Sequence, residues 1–229
     1  MTSHISKQFD AELNALRTHI LQMSYLVEQQ IIESLEALES KNIAQLDQVI
    51  ADDDKVNEME LMIDEECQRI IARRQPTASD LRMLITISKI TVDLERIGDE
   101  ATKIARLGKR ICQNPQFKST QVRELQKMGQ LSLDMLKQSL DAFVRLDASV
   151  MYKLFEADRL LDEDFSNELR RLITFMIEDT KMISVAIDIL FIAKAIERIG
   201  DHATNISEYV AFLAKGKDMR HTLHLQIQK

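Results

Sequence analysis

Apolar residues recur at steps of three and four from about Gln8 to Glu39, where Phe9, Leu13, Leu16, Ile20, Met23, Val27, Ile31, Leu35 and Leu38 share one face of a helical period. This stripe predicts a first long helix. A second is predicted from about Ile43 to Arg74, with Val49, Val56, Ile63, Cys67 and Ile70 on one side. It ends at Gln75-Pro76-Thr77, because proline disfavours helical geometry in the residue before it. Thr77 and Asp80 have the spacing of a capping box, and a third helix then carries Leu84, Ile87, Ile90, Leu94, Ile97, Ala101 and Ile104. From Gly108 to Thr120 the apolar period lapses around Asn114-Pro115, which reads as a linker.

After the linker the pattern starts again. SLEAL at 34–38 matches SLDAF at 139–143 with an offset of 105, and ERIGDEATKI at 95–104 matches ERIGDHATNI at 197–206 with an offset of 102. In the longer match 8 of 10 positions are identical, which marks an internal duplication. The expected architecture is all-α: two tandem, pseudo-symmetric three-helix bundles, the first over residues 1–107 and the second over 121–219. A linker at 108–120 joins them, and a short tail follows at 220–229. Composition agrees, since 45% hydrophobic and 29% charged residues with only 5 Gly and 2 Pro favour helices.

Charge narrows the range of partners. A formal net charge of -7 opposes nucleic-acid binding, which depends on Lys and Arg neutralising phosphates. Cys67 and Cys112 stand alone, without CxxC or His spacing for zinc, and read as reduced thiols of a cytosolic protein. Lys7, Asp10 and Glu12 interrupt any apolar run of a secretion signal. The most apolar stretch, MISVAIDILFIAKAI, is broken by Asp188 and Lys194 before the roughly 20 residues that span a bilayer. Membrane association is therefore expected only through partners.

The candidate chemistry lies in carboxylates. Glu95 with Asp99, and Glu197 with Asp201, are spaced i,i+4 within the duplicated decamers, so each pair sits on one helix face. Like charges at this spacing repel unless a cation compensates them. With 37 acids in the chain, chance alone places about six such pairs on solvated faces, so spacing by itself says little. Gly98 and Gly200 strengthen the case, because glycine inside a helix costs about 1 kcal/mol and signals close approach of another group. A helical wheel turns Glu95 and Asp99 outward beside Thr91, Gly98 and Thr102. The offset of 105 also aligns Asp53 with Asp158 and Asn57 with Asp162 in the second helix of each half, bordering the apolar stripe, whereas Asp54 and Glu58 point into solvent.

Catalytic machinery is not found. None of the five histidines (His4, His19, His202, His221, His224) completes a Glu-x-x-His pair of the di-iron type, and His202 reads as a surface residue. No Walker loop, dinucleotide turn or nucleophile elbow is present, and surface carboxylates on rigid helices are expected to lack the desolvation that tunes an acid or base. The 11 Met residues, spread at helical spacing, read as core filler.

The paired ERIGD segments, RIIARRQPTASDLR at 69–82 and the opening ISKQFDAELNALRTHI resemble the PhoU family of phosphate-signalling regulators over nearly the whole chain. The resemblance implies a non-enzymatic negative regulator of the phosphate-starvation response and of phosphate uptake. Such a protein is cytoplasmic, recruited peripherally to the inner face of the membrane, and bridges the phosphate transporter ATPase and the sensor histidine kinase. It also implies a homodimer, and divalent or transition metal ions (Mg, Mn, Fe or Zn) held by E(D)xxxD motifs. Those motifs fall on Glu95 with Asp99, Glu197 with Asp201, and Asp158 with Asp162; the equivalent Asp53 with Asn57 has an amide in place of one carboxylate. Two other readings remain open on the residues alone: a carboxylate-bridged metal store or metalloenzyme, which the lack of His ligands opposes, and a structural protein whose ERIGD glycines only let helices pack closely.

Overall fold

The structure, a computed structural model, describes residues 7–216. The tail at 220–229, the last residues assigned to the second repeat (217–219), and His4, His221 and His224 lie outside the described residues. Helix α1 spans Lys7–Ser40, and every position of the first predicted stripe is buried along it. The second predicted helix is interrupted at Asp52, giving α2 (Ile43–Ala51) and α3 (Asp53–Arg74). The interruption falls in the run Asp52-Asp53-Asp54, residues whose short polar side chains compete with helical backbone bonding. Asn42 caps α2 by accepting from the Gln45 amide, and Gln75 closes α3 in the left-handed conformation, φ 44°.

Helix α4 covers Ala78–Cys112, longer than the periodicity suggested. At its start the Thr77 hydroxyl donates to the Asp80 carboxylate at 3.1 Å instead of capping the backbone. At its end Gly108–Cys112, read as linker from sequence, are helical, because Ile111 is buried and Gly108 lets Leu38 and Leu46 approach. The true connection begins at Gln113 and includes a 3-10 turn at Ser119–Val122. It is packed down: Phe117 and Val122 are buried, and Lys41 donates to the Phe117 carbonyl at 2.7 Å. The second repeat consists of α5 (Arg123–Arg145), α6 (Val150–Glu178), a 3-10 turn at Thr180–Met182 and α7 (Ile183–Lys215).

The first half therefore packs four helices, α1 to α4, where three were expected, and the second packs α5, α6 and α7; the two halves share one continuous core rather than two separate ones. The last helices of the two halves, α4 and α7, pack against each other with opposite direction. Arg110 pairs with Asp188, Glu100 with Arg198, and Asp93 with His202, so rising numbers on one helix meet falling numbers on the other. Arg110 holds the buried Asp188 through Nε and Nη2, which donate to Oδ2 and Oδ1, a bidentate contact that fixes register. His202, expected at the surface, is instead mostly covered: its ring nitrogen lies 2.6 Å from Asp93, which also accepts from Asn205 at 3.3 Å.

The glycines of the duplicated decamers explain how α3 and α6 reach α4 and α7. A methyl group on Gly98 would meet Gln30 Oε1 at 3.2 Å and Val56 Cγ1 at 3.3 Å, and on Gly200 it would collide with Leu161 and meet Met135 at 3.4 Å. The offset of 105 maps Gln30 onto Met135 and Val56 onto Leu161, so the same close crossing is built twice. The repeats differ in one respect: Gln30 is buried and neither of its amide atoms has a partner. A buried unpaired amide costs about 1–3 kcal/mol, so Gln30→Met, the second repeat's residue, is expected to stabilise the protein by about 1 kcal/mol or more. A higher urea midpoint with unchanged slope would bear this out, and a lower one would show that the amide is satisfied.

Candidate functional site

In the first repeat, α3 begins with Asp53 and carries Asn57, and α4 carries Glu95 and Asp99. Thr102, one turn beyond Asp99, donates its hydroxyl to Asp53 Oδ1 at 3.0 Å, tying the two helices together beside the acids. The second repeat reproduces this contact. Thr204 on α7 donates to Asp158 Oδ1 on α6 at 3.4 Å, with Asp162, Glu197 and Asp201 on the same pair of helices. The structure therefore brings the predicted carboxylates of each half to one helix crossing, while Asp54 and Glu58 are exposed as expected.

Their surroundings differ from the expected solvated face. Glu197 is only 8% exposed, Glu95 and Asp158 are half-buried, and Asp99 and Asp201 reach solvent. Burial, followed by repulsion from Asp201 and Asp162, pushes Asp158 up to about 6, against the hydrogen bond from Thr204. Glu197 and Asp201 are also raised, in each case first by burial, with Lys194 partly offsetting the shift. In the first repeat burial raises Asp53, Glu60 and Glu95, and the neighbouring carboxylates add to the shift. The expectation that these acids lack desolvation is thereby corrected: close helix crossing at Gly98 and Gly200 draws apolar bulk around them.

Thr102 stands beside the acids on the helical wheel, and three further neighbours escaped the sequence reading. Thr204 was within reach, since it occupies the place of Thr102 in the second decamer. Glu60 enters the first cluster one turn beyond Asn57, and repels Glu95; its counterpart at the offset of 105 is Phe165, so the duplication gave no hint of it. Lys194 lies one turn before Glu197 and donates to Glu197 Oε1, whereas Oε2 of that buried carboxylate has no partner. In the first repeat Arg96 reaches Glu95 and Asp99 from outside, at 3.5 and 3.7 Å.

Hard oxygen donors, raised carboxylates and an orphaned buried carboxylate oxygen together suit a divalent cation of the Mg or Mn kind. The side chains are not yet gathered around one point, since among the described residues no three His, Cys, Asp or Glu converge closely enough to hold an ion. Cys67, buried and pushed up to about 12, is inert as a ligand. Among the described residues no helix is long and apolar enough to cross a membrane.

Comparison with known proteins places this arrangement in context. The PhoU domain matches residues 20–108 and again 125–210, so each match contains one of the carboxylate clusters. The phosphate-specific transport system accessory protein PhoU homolog of Pseudomonas putida is 45% identical over 221 residues, covering 96% of this chain and 86% of that protein. The phosphate-specific transport system accessory protein PhoU of Escherichia coli is 41% identical over 96% of this chain and 91% of its own. The crystal structure of PhoU from Pseudomonas aeruginosa superposes with a TM-score of 0.85 at 43% identity, covering 91% of this chain and all of that one. The phosphate transport system regulatory protein PhoU from Streptococcus pneumoniae follows at 0.83, with 31% identity over 92% of this chain and 98% of that one.

Proposed function

The chain belongs to the PhoU domain family, and from that premise we propose that it is a non-enzymatic accessory protein that regulates a phosphate transport system. The observation that carries this reading is the full-length likeness to accessory and regulatory proteins across both repeats. Its finer form is a negative regulator of phosphate uptake and of the phosphate-starvation response. In that form the protein acts as a cytoplasmic adaptor between the transporter ATPase and the sensor histidine kinase, works as a homodimer, and binds metal through Glu95, Asp99, Asp53 with Asn57, Glu197, Asp201, Asp158 and Asp162.

Two features of the molecule support docking over turnover. Apolar side chains are exposed on four helices, Tyr25 by 62%, Leu61 by 65%, Ile177 by 77% and Phe191 by 50%, and each offers a point of contact to a partner. The carboxylates sit at helix crossings, where a bound cation would tune how α3 meets α4 and α6 meets α7 and so couple ion binding to surface shape. A phosphate-starvation reporter such as alkaline phosphatase, measured in cells lacking this chain and grown with ample phosphate, tests the reading. Expression is expected to rise on the order of tenfold or more, and complementation with the intact gene is expected to silence it; an unchanged reporter removes negative regulation from the account.

A further inference from the structure

The two carboxylate clusters descend from one design, yet they differ at two facing positions. Where the second repeat has Lys194 and Phe165, the offsets of 102 and 105 put Val92 and Glu60 in the first. The first cluster therefore gains a carboxylate that replaces the charge lost at Asn57, and the second gains an ammonium. This ammonium is held in place. Lys194 donates to Glu197 Oε1, and its Nζ lies 5.4 Å from the centre of the Phe165 ring, within the range of a cation–π contact.

The arginine that both decamers share behaves oppositely in the two halves. Arg96 stays with its own cluster but at 3.5 and 3.7 Å and more than half exposed, where solvent screens it. Arg198, its counterpart, turns away to Glu100 of the first repeat at 2.5 Å, which leaves Lys194 as the cation hydrogen-bonded to the second cluster. Glu197 Oε2 meanwhile stays buried and unpaired, so the lysine satisfies only half of the carboxylate and a second cation has a donor waiting.

We propose that Lys194 is an internal counter-ion of the second cluster, which an entering divalent cation must displace, so that the two repeats bind such cations with graded affinity, the first more tightly. The inference rests on the cation reading of these clusters. Physically, one ammonium near a doubly charged ion opposes binding through Coulomb repulsion, and its release from Glu197 removes a hydrogen bond that the bound state must replace. Because Lys194 is partly exposed, the flexible stem can carry the charge into water, which limits the penalty to roughly tenfold in affinity.

The test is a Mn²⁺ titration of the full chain, with free ion counted from its paramagnetic resonance signal at fixed pH and salt. The intact protein is expected to show one tighter and one weaker site. Lys194→Val, taking the first repeat's residue, is expected to tighten the weaker site by about tenfold and leave the other in place. Lys194→Met guards against a loss of helix stability from the branched side chain and is expected to act the same way. Glu60→Gln is expected to loosen the tighter site. Two equal sites in the intact protein, or lysine variants with unchanged or weaker binding, overturn the inference while leaving the cation reading intact. No Mn²⁺ uptake by the intact protein overturns both.

Discussion

Asp158→Asn is expected to raise the unfolding free energy by about 2 kcal/mol at pH 7.5 in the presence of a chelator, and by almost nothing at pH 4. The sign follows from the direction of the shift. Asp158 is pushed up to about 6 in the fold, from an ordinary value of 3.8, so the folded protein holds its proton more tightly than the unfolded chain does. Between about pH 4 and 6 the native state binds more protons, and stability contributed at this position falls as pH rises through that window. Above it both states are ionised and the deficit is constant. Its ceiling is about 3 kcal/mol from the size of the shift, and water reaching a half-buried carboxylate reduces it to the smaller figure given. Asparagine keeps the shape and can still accept from Thr204, without the charge that Asp201 and Asp162 repel.

The same substitution separates electrostatic strain from function. On the cation reading, added Mn²⁺ is expected to bind the folded state alone and to stabilise the wild type by mass action, whereas the variant, lacking one donor, is expected to gain less. Urea unfolding at pH 4, 5.5 and 7.5, with and without Mn²⁺, gives both curves. A variant no more stable than wild type at pH 7.5 would show that the carboxylate is already solvated or compensated, and the account of a strained cluster would fall.

Much of the fold could be read from the chain because its pattern is local. The three first-repeat stripes are buried at every named position, and a repeated decamer located both third helices and their glycines. The break at Asp52 and the continuation of α4 through Cys112 were not read, since both depend on what packs nearby: α2 buries Leu46 and Val49 in a small separate cluster with Ala37 and Ala105, and Gly108 meets Leu46 there. For the site, the duplicated acids were legible and Glu60 was not. It resembles any solvated glutamate until α3 is laid on α4, and the second repeat puts Phe165 in its place. The burial of Glu197 was hidden for the same reason. One-dimensional periodicity gives which side of a helix a residue occupies, but desolvation depends on how closely the next helix approaches.

The largest loss of stability is expected from Arg171→Met, about 3–4 kcal/mol, although Arg171 lies in neither candidate cluster. Its guanidinium donates to both oxygens of Glu168, including Nε to Oε2 at 2.6 Å, and to the Gln121 carbonyl in the connection between repeats at 2.8 Å. Glu168 is 2% exposed, so its charge depends on this one partner, and the Phe175 ring packs at 4.9 Å on the guanidinium. Removing the arginine leaves an uncompensated buried carboxylate and an unpaired carbonyl at the point where α5 begins, which costs far more than a surface ion pair would. The double variant Glu168→Met with Arg171→Met removes both charges and is expected to recover more than half of the loss, because the burial penalty disappears with the carboxylate. Urea midpoints of the two variants decide the matter. A single variant that costs less than about 1 kcal/mol would mean that Glu168 reaches water or another donor, whereas a double variant as unstable as the single would place the loss in the Gln121 anchor and make the arginine chiefly a clamp on the connection.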